Sequence, residues 1–336
     1  MTTQSEHEMP AVSVVLPAYG EEAGIDRALD EITRAMEAVG VSFEIVVVDD
    51  GSRDATFELV RIRGAVDRRV RGLRFSRNFG KEAALSAGLA AARGRAVVTM
   101  DADLQHPPAL LPKMIAAWRN GAKVVHAVKQ SRGDDGPLIR WRARLFNGLM
   151  LRLGGIDLAE ASDYKLLDRE VADVLTHRLP ERKRFYRGLA AWVGYPSAEI
   201  PFNVAPRPAG ASRWSILRLA ELAITALVSF TSAPLRIVTV LGLLTLALSG
   251  LLVIDTVWSW LHGRAVSGFA TIVLTLLIIG SFIMISLGII GEYIAKIYEE
   301  VKRRPHYLVS ETVNFDRPGD GATTRRSEDL AMTARS

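Results

Sequence analysis

Two runs of the sequence, residues 237–254 and 265–291, contain no charged side chain. A helix needs roughly 20 apolar residues to cross the hydrocarbon core of a bilayer, and soluble helices are rarely apolar all round. The pair therefore reads as transmembrane helices over 234–261 and 265–291; a buried helix of a soluble core is the alternative for each. The loop between them carries one Asp, Asp255, and one Arg, Arg264. Arg213, Arg218 and Arg236 precede the pair, and Lys296, Lys302, Arg303 and Arg304 follow it. Positive charge marks the cytoplasmic side, so both outer flanks and both termini are expected there, with the loop across the membrane. Trp258 and Trp260 stand where an interfacial aromatic belt belongs. Residues 212–232 begin amphipathic and turn apolar, with Arg213, Arg218 and Glu221 as their charges. Such a segment is expected to lie along the interface. The basic amphipathic stretch 138–153 fits either a surface-packed helix or one near the headgroups. Residues 292–310 read as a cytoplasmic juxtamembrane segment, and 1–10 and 311–336 as disordered ends. The polar start carries no basic and apolar leader, so no secretory signal is expected.

Ahead of the membrane region, residues 11–211 read differently. Short apolar runs, VSVVLP, FEIVVVDD, GLRFS, AVVTM and KVVHAV, alternate with helical spacing such as Ile25, Leu29, Ile32 and Met36. Continuous apolar strands are buried on both faces, and alternating strand and helix gives an α/β fold with a doubly wound parallel sheet. Ligands of such sheets bind beyond the C-terminal strand ends. With 49% hydrophobic and 24% charged residues, wholesale disorder is excluded. Lys+Arg of 42 against Asp+Glu of 37 leaves +5, which does not describe a nucleic-acid binder. No cysteine is present, which excludes disulfides, thiolate metal sites and a Cys nucleophile, and fits a reducing compartment.

The strand ends carry the candidate chemistry. Asp101-Ala102-Asp103 follows AVVTM. Residues i and i+2 of an extended segment point the same way, so the two carboxylates could hold one Mg²⁺ or Mn²⁺ together with phosphate oxygens. Gln105 could add an amide oxygen on that face. Alone, such a pattern also occurs in solvated loops; its place after a buried strand favours the metal. Asp49-Asp50-Gly51-Ser52 ends another strand, as a helix cap, as a nucleotide contact, or as both. After the first strand, Pro17-Ala18-Tyr19-Gly20-Glu21 reads either as a plain loop or as a nucleotide pocket with Tyr19 stacked on the base.

Eight ordered blocks complete the pattern: VSVVLPAYGEE, VVVDDGSRD, SRNFGKEAALSAGLAAARG, MDADLQHPP, SDYKLLDR, ERKRFYRGLAAWVGY, PRPAGASRWS and GEYIAKIYEEVKRRPHY. The chain resembles the polyprenyl-phosphate glycosyltransferases of glycosyltransferase family two over about residues 11–309, and within them the bacterial subgroup with two C-terminal membrane helices. The resemblance implies a GT-A fold and inverting transfer of a sugar from a nucleotide-diphosphate donor, a UDP-sugar rather than GDP-mannose, to a membrane polyprenyl phosphate. It further implies an inner-membrane location, no nucleic-acid partner and a homotetramer. Carried over, Pro17, Tyr19, Glu21 and Asp49 or Asp50 match the nucleotide pocket; Asp101, Ala102, Asp103 and Gln105 match the metal and diphosphate site. Arg132, Arg207 and Arg213 match phosphate-binding positions, and Asp163 matches a residue that orients the acceptor or acts as base. Arg213 stands where the mannose synthases have Lys, Ser162 where a Gly is usual, and His106 where an Asp is common. Arg182, Arg184 and Arg187 fit either a solvated face or a contact with lipid phosphate.

A phosphate monoester is anionic at neutral pH and needs no strong base to attack. The expected work is therefore neutralising the leaving diphosphate, by the ion at Asp101 and Asp103 and by arginines, with Asp103, Arg132 and Asp163 in catalytic roles. A processive polysaccharide synthase is the nearest alternative. It is opposed by the lack of a Gln ahead of Arg140–Trp141 or Arg213–Trp214 at the required offset, and by only two spans. A catalytically dead scaffold is opposed by the intact Asp101 and Asp103. A transport role is opposed by spans without an intramembrane charge.

Overall fold

In a computed structural model that describes residues 9–129, 148, 152, 163–179, 186–202, 233–263 and 268–315, β1 (Val12–Ala18) and β2 (Phe43–Asp49) are buried at every position. Their largely apolar runs require two covered faces. β3 (Val70–Phe75) and β4 (Ala96–Thr99) flank them, and all the pairings among these four strands are parallel. α1 (Ile25–Val39), α2 (Thr56–Val66) and α3 (Lys81–Ala91) make the crossovers. In α1, Ile25, Leu29, Ile32 and Met36 face the core at helical spacing, and Gly40 closes the helix with φ +69°.

α3 lies against β1 and β2 at close range. A Cβ on Gly88 would stand 2.2 Å from Cγ1 of Val15, closer than atoms can pack. Gly88→Val is therefore expected to cost about 1–3 kcal/mol by overpacking. A melting temperature lower by several degrees in purified full-length protein checks it; an unchanged one would mean α3 can lift off the sheet freely.

The sheet continues with α4 (Leu111–Arg119), β5 (Val124–Lys129), β6 (Lys165–Asp168), α5 (Arg169–Asp173), α6 (Tyr186–Trp192) and β7 (Ser197–Phe202). The order of the eight strands is β7-β5-β6-β4-β1-β2-β3-β8. The sheet is not wholly parallel. β6 runs antiparallel to β4 and β5, a reversal that strand-and-helix alternation alone does not announce.

The other antiparallel strand corrects the expected ends of the chain. Residues 311–336 read as a disordered tail, yet β8 (Val309–Val313) pairs with β3 along the sheet edge. Val313 fills space above Gly64 and Gly72, where added side chains would collide with it. The Asn314 amide donates to the carbonyls of Gly64 and Val70 at 2.7 and 2.8 Å. Tyr307 stacks on Phe75 at 4.9 Å. The β-branched Val309, Thr312 and Val313 favour a strand that the otherwise polar composition hides. At the other end, Pro10, placed in the disordered N-terminus, accepts a hydrogen bond from the Arg95 N–H at 3.1 Å.

On β5, burial and then the Lys165 ammonium push the His126 imidazole down to about 4. Unfolded histidine titrates near ~6.5. Between these values the unfolded chain binds more protons, so stability is lost as pH falls from about 6.5 toward about 4. His126→Gln should flatten that acid limb of a melting-temperature profile; parallel curves for the two proteins would contradict it.

The second unit holds α7 (Ala233–Leu261) and α8 (Phe269–Val301), which pack on each other. Their apolar stretches Leu235–Ser259 and Leu274–Val301 have mean hydropathy 2.6 and 2.4, and neither is buried inside the protein. The 25 residues of the first rise about 38 Å, enough for a hydrocarbon core of ~30 Å. Leu243, Leu246, Ile254, Leu276 and Met284 are exposed, which suits membrane association. α8 runs on to Val301, so part of the expected juxtamembrane segment 292–310 is helix, and Val309 and Ser310 at its end already belong to β8. The expected interfacial helix 212–232 and most of 138–153 lie outside the described residues.

Candidate active site

The C-terminal ends of β1, β2 and β4 open onto one cavity of about 340 Å³. Pro17, Ala18 and Tyr19 come from the end of β1, Asp50 from the end of β2, and Asp101, Ala102 and Asp103 from the end of β4. Glu21, Asn78, Gly80, Lys81 and Ala84 complete the lining. Of the residues expected from the sequence, Pro17, Tyr19, Glu21, Asp50, Asp101, Ala102 and Asp103 are thus brought together. Tyr19 is 53% exposed, with its ring free to receive a planar partner.

The two acidic residues ending β2 divide their labour. Asp49 is fully buried, does not line the cavity, and accepts the Ser52 N–H at 3.2 Å and the Ser52 hydroxyl. Ser52 in turn accepts the Gly20 N–H at 3.0 Å, so this group ties the β1 and β2 loops together. Arg74 stands 3.4 Å from Asp49. Burial nevertheless raises the Asp49 carboxyl above the usual range. Asp50 faces the cavity and accepts the N–H groups of Phe79 and Gly80 at 2.6 and 2.9 Å. The turn needs Gly51: φ is +71°, and a Cβ would lie 2.5 Å from the Arg77 backbone.

The acidic segment after β4 is a turn rather than the extended stretch expected. Leu104 has φ +56°, and Asp103 accepts the Gln105 N–H at 3.0 Å. Gln105 is not part of the cavity lining. The Asp101 N–H donates to Nδ1 of His106 at 3.2 Å, and the His106 ring stacks on Tyr164 at 5.0 Å. Burial lowers the His106 pKa, which keeps Nδ1 an acceptor. The histidine in place of an aspartate therefore props the backbone of Asp101.

Negative charge gathers here. Burial, then Asp103, Asp101 and Asp54, raise the Glu21 carboxyl. Among the described residues lining the cavity, Lys81 is the one cation. Its ammonium stands 2.6 Å from Asp101 and 2.7 Å from Asp163, and the Asp163 carbonyl accepts the Thr99 hydroxyl at 2.6 Å. Lys81, Asn78 and Gly80 were named only within a longer motif at the sequence level; a lysine just past a strand end, opening a helix, was the available signal. Arg132, Arg207, Arg213, Arg182 and Arg184 lie outside the described residues, as does the side chain of Arg187. No three Asp, Glu or His side chains among the described residues are placed to hold an ion by themselves.

Residues 13–176 match the family model of Glycosyl transferase family 2, and residues 233–297 match the GtrB C-terminal hairpin. A glycosyltransferase of Synechocystis is 37% identical over 305 residues, covering 89% of this chain and 95% of its own. The chain belongs to glycosyl transferase family 2. Its sheet is that of a GT-A glycosyltransferase domain, followed by the apolar hairpin. A prophage-derived bactoprenol glucosyl transferase of Shigella flexneri is 36% identical over 306 residues, covering 90% of this chain and 98% of that one. Glucosyl-3-phosphoglycerate synthase from Mycobacterium tuberculosis, solved with Mn²⁺, UDP and glucosyl-3-phosphoglycerate, is 26% identical, covering 65% of this chain and 76% of that chain with a TM-score of 0.41.

Proposed function

We propose that this family 2 enzyme transfers a sugar from a nucleotide-diphosphate donor, a UDP-sugar, to the phosphate of a membrane polyprenol, with inversion at the anomeric carbon. The observation that carries the reading is the acidic cavity at the strand ends of a chain that also bears the GtrB-type hairpin. Relatives named as bactoprenol glucosyl transferases support the acceptor class. An acceptor confined to the bilayer explains the hairpin, because anchoring raises its effective concentration at the catalytic domain.

Tyr19, Pro17 and Ala18 form the base-binding wall, with Asp50 fixing the nucleoside. The carboxylates Asp101 and Asp103 supply an all-oxygen donor set suited to Mg²⁺ or Mn²⁺. Two protein carboxylates are too few to encircle such an ion, which leaves positions for diphosphate oxygens. Glu21, Asp50, Asp101 and Asp103 line the cavity with Lys81 as the one cation among its described lining residues, which supports a further cation there. The ion supplies Lewis acidity toward the leaving diphosphate. Arg132, Arg207 and Arg213 hold the two phosphates without mutual repulsion, and Asp163 orients the acceptor. Gln105, whose backbone N–H donates to the Asp103 carboxylate, is assigned a part in shaping that loop. The catalytic domain and both termini lie in the cytoplasm of a cell whose inner membrane holds the hairpin, and the enzyme assembles as a homotetramer.

Calorimetric titration of the purified protein with UDP and GDP, each with and without Mn²⁺, tests the donor site. UDP is expected to bind at least about tenfold more tightly than GDP, a difference of ~1.4 kcal/mol, and only with the ion present. Preference for GDP, or binding indifferent to Mn²⁺, would overturn this assignment.

A further inference from the structure

Lys81 opens α3, 82 residues before Asp163 in sequence, and its ammonium meets two segments that flank the last pair of the antiparallel β4–β6 ladder, Thr99 with Lys165. Asp101 belongs to the turn after β4, its N–H held by His106. Asp163 precedes β6, its carbonyl held by Thr99, whose hydroxyl also meets the Tyr186 hydroxyl at 2.9 Å. Pairing of β4 with β6 and the Thr99 hydroxyl thus set the two backbones side by side, but not the direction of their carboxylates. The ammonium of Lys81, between Oδ1 of Asp101 and Oδ2 of Asp163, sets their carboxylates relative to each other. Asp163 is 7% exposed and Asp101 27%, so the bridge is shielded on one side and open to the cavity on the other.

We propose that Lys81 is a positioning residue that couples the cation-holding Asp101 to the acceptor-side Asp163. The inference rests on the donor and metal site proposed above. Asp101 has two oxygens, and the one bonded to Lys81 leaves the other for a divalent ion. Lys81 and the ion therefore share a carboxylate. The lysine lowers the negative charge that the ion meets, and in return holds Asp163 at a fixed distance from it. Loss of the ammonium frees Asp101 for the ion but lets two like charges turn apart. Ion affinity and turnover should then move in opposite directions, which a simple structural role does not produce.

The test is Mn²⁺ binding to full-length protein in detergent without nucleotide, followed by the electron paramagnetic resonance of the free ion, beside steady-state turnover. Lys81→Met is expected to bind Mn²⁺ about two- to fivefold more tightly, as loss of a half-exposed like charge implies. Its kcat is expected to fall about 10²-fold, as misplacement of a reacting partner by ~1 Å does. Asp163→Asn added to Lys81→Met should reduce kcat little further than the worse single variant, because both remove one arrangement. Lys81→Arg keeps the charge; it should hold wild-type Mn²⁺ affinity and recover part of kcat, and it carries the test where the methionine variant does not fold. Unchanged or weaker Mn²⁺ binding by folded Lys81→Met overturns the coupling, as do fully additive losses with Asp163→Asn or an arginine variant no better than methionine. Where the wild-type protein binds no Mn²⁺ alone, the same comparison is made with UDP present, and absence of binding there too removes the metal reading itself, and the coupling with it.

Discussion

Asp103→Asn should lower kcat about 10³-fold while leaving the fold intact. The side chain is exposed and its described bond is to the N–H of Gln105, which an amide oxygen can still accept. What the amide cannot do is contribute negative charge to the ion that neutralises the leaving diphosphate. Transition-state charge stabilisation by a metal is worth several kcal/mol; about 4 kcal/mol corresponds to the ~10³-fold expected. Loss of activity with an unchanged melting temperature and weakened Mn²⁺ binding supports the role. A variant that retains more than about a tenth of wild-type turnover places the ion elsewhere.

The largest effect on stability should come from Glu44, far from the cavity. Its carboxylate accepts the Ser13 hydroxyl and the Arg93 N–H, both at 2.6 Å, and pairs with Arg71 at 2.7 Å. Both charged side chains are almost wholly buried, at 7% and 5% exposure. The Arg71 guanidinium also donates to the Ala91 carbonyl at 3.0 Å and lies 3.8 Å from the Phe315 ring centre. One carboxylate thus links β1, β2, β3 and the turn before β4. Glu44→Ala leaves a buried guanidinium without its counter-charge, which costs about 3–5 kcal/mol. For a domain of this size that is a fall of roughly 6–20 °C in melting temperature. Glu58→Ala makes the control: its pair with Arg61 is 53% and 60% exposed, and no measurable change is expected. Equal effects from the two would contradict the account of the buried pair.

The parallel centre of the fold was legible because β1 and β2 are mostly apolar runs separated by a helix with clear spacing. The acidic cavity was legible because parallel topology sends strand ends to one side, so Pro17, Asp50 and Asp101 had to meet. What escaped depended on distant partners. β6 is four residues long and begins with Lys165, whose burial over the Tyr186 ring no local pattern reveals. β8 is a short, largely polar run that becomes a strand because β3 presents an edge and Gly64 and Gly72 leave room for Val313. Asp49 and Asp50 looked equivalent as neighbours, and only the pleat of β2 turns one inward and the other to the cavity. Lys81 acquires meaning from Asp163 and Asp101, which meet it through folding alone.

The reaction itself is the central claim. Purified protein in detergent should be incubated with undecaprenyl phosphate, Mn²⁺ or Mg²⁺ and a pool of UDP- and GDP-sugars, with Asp103→Asn alongside, and the lipids examined by mass spectrometry. The account predicts a new polyprenyl-phosphate sugar, formed from a UDP-sugar, dependent on the ion and absent from the variant. No lipid-linked product from any donor, from protein that neither binds UDP nor hydrolyses it, would contradict it.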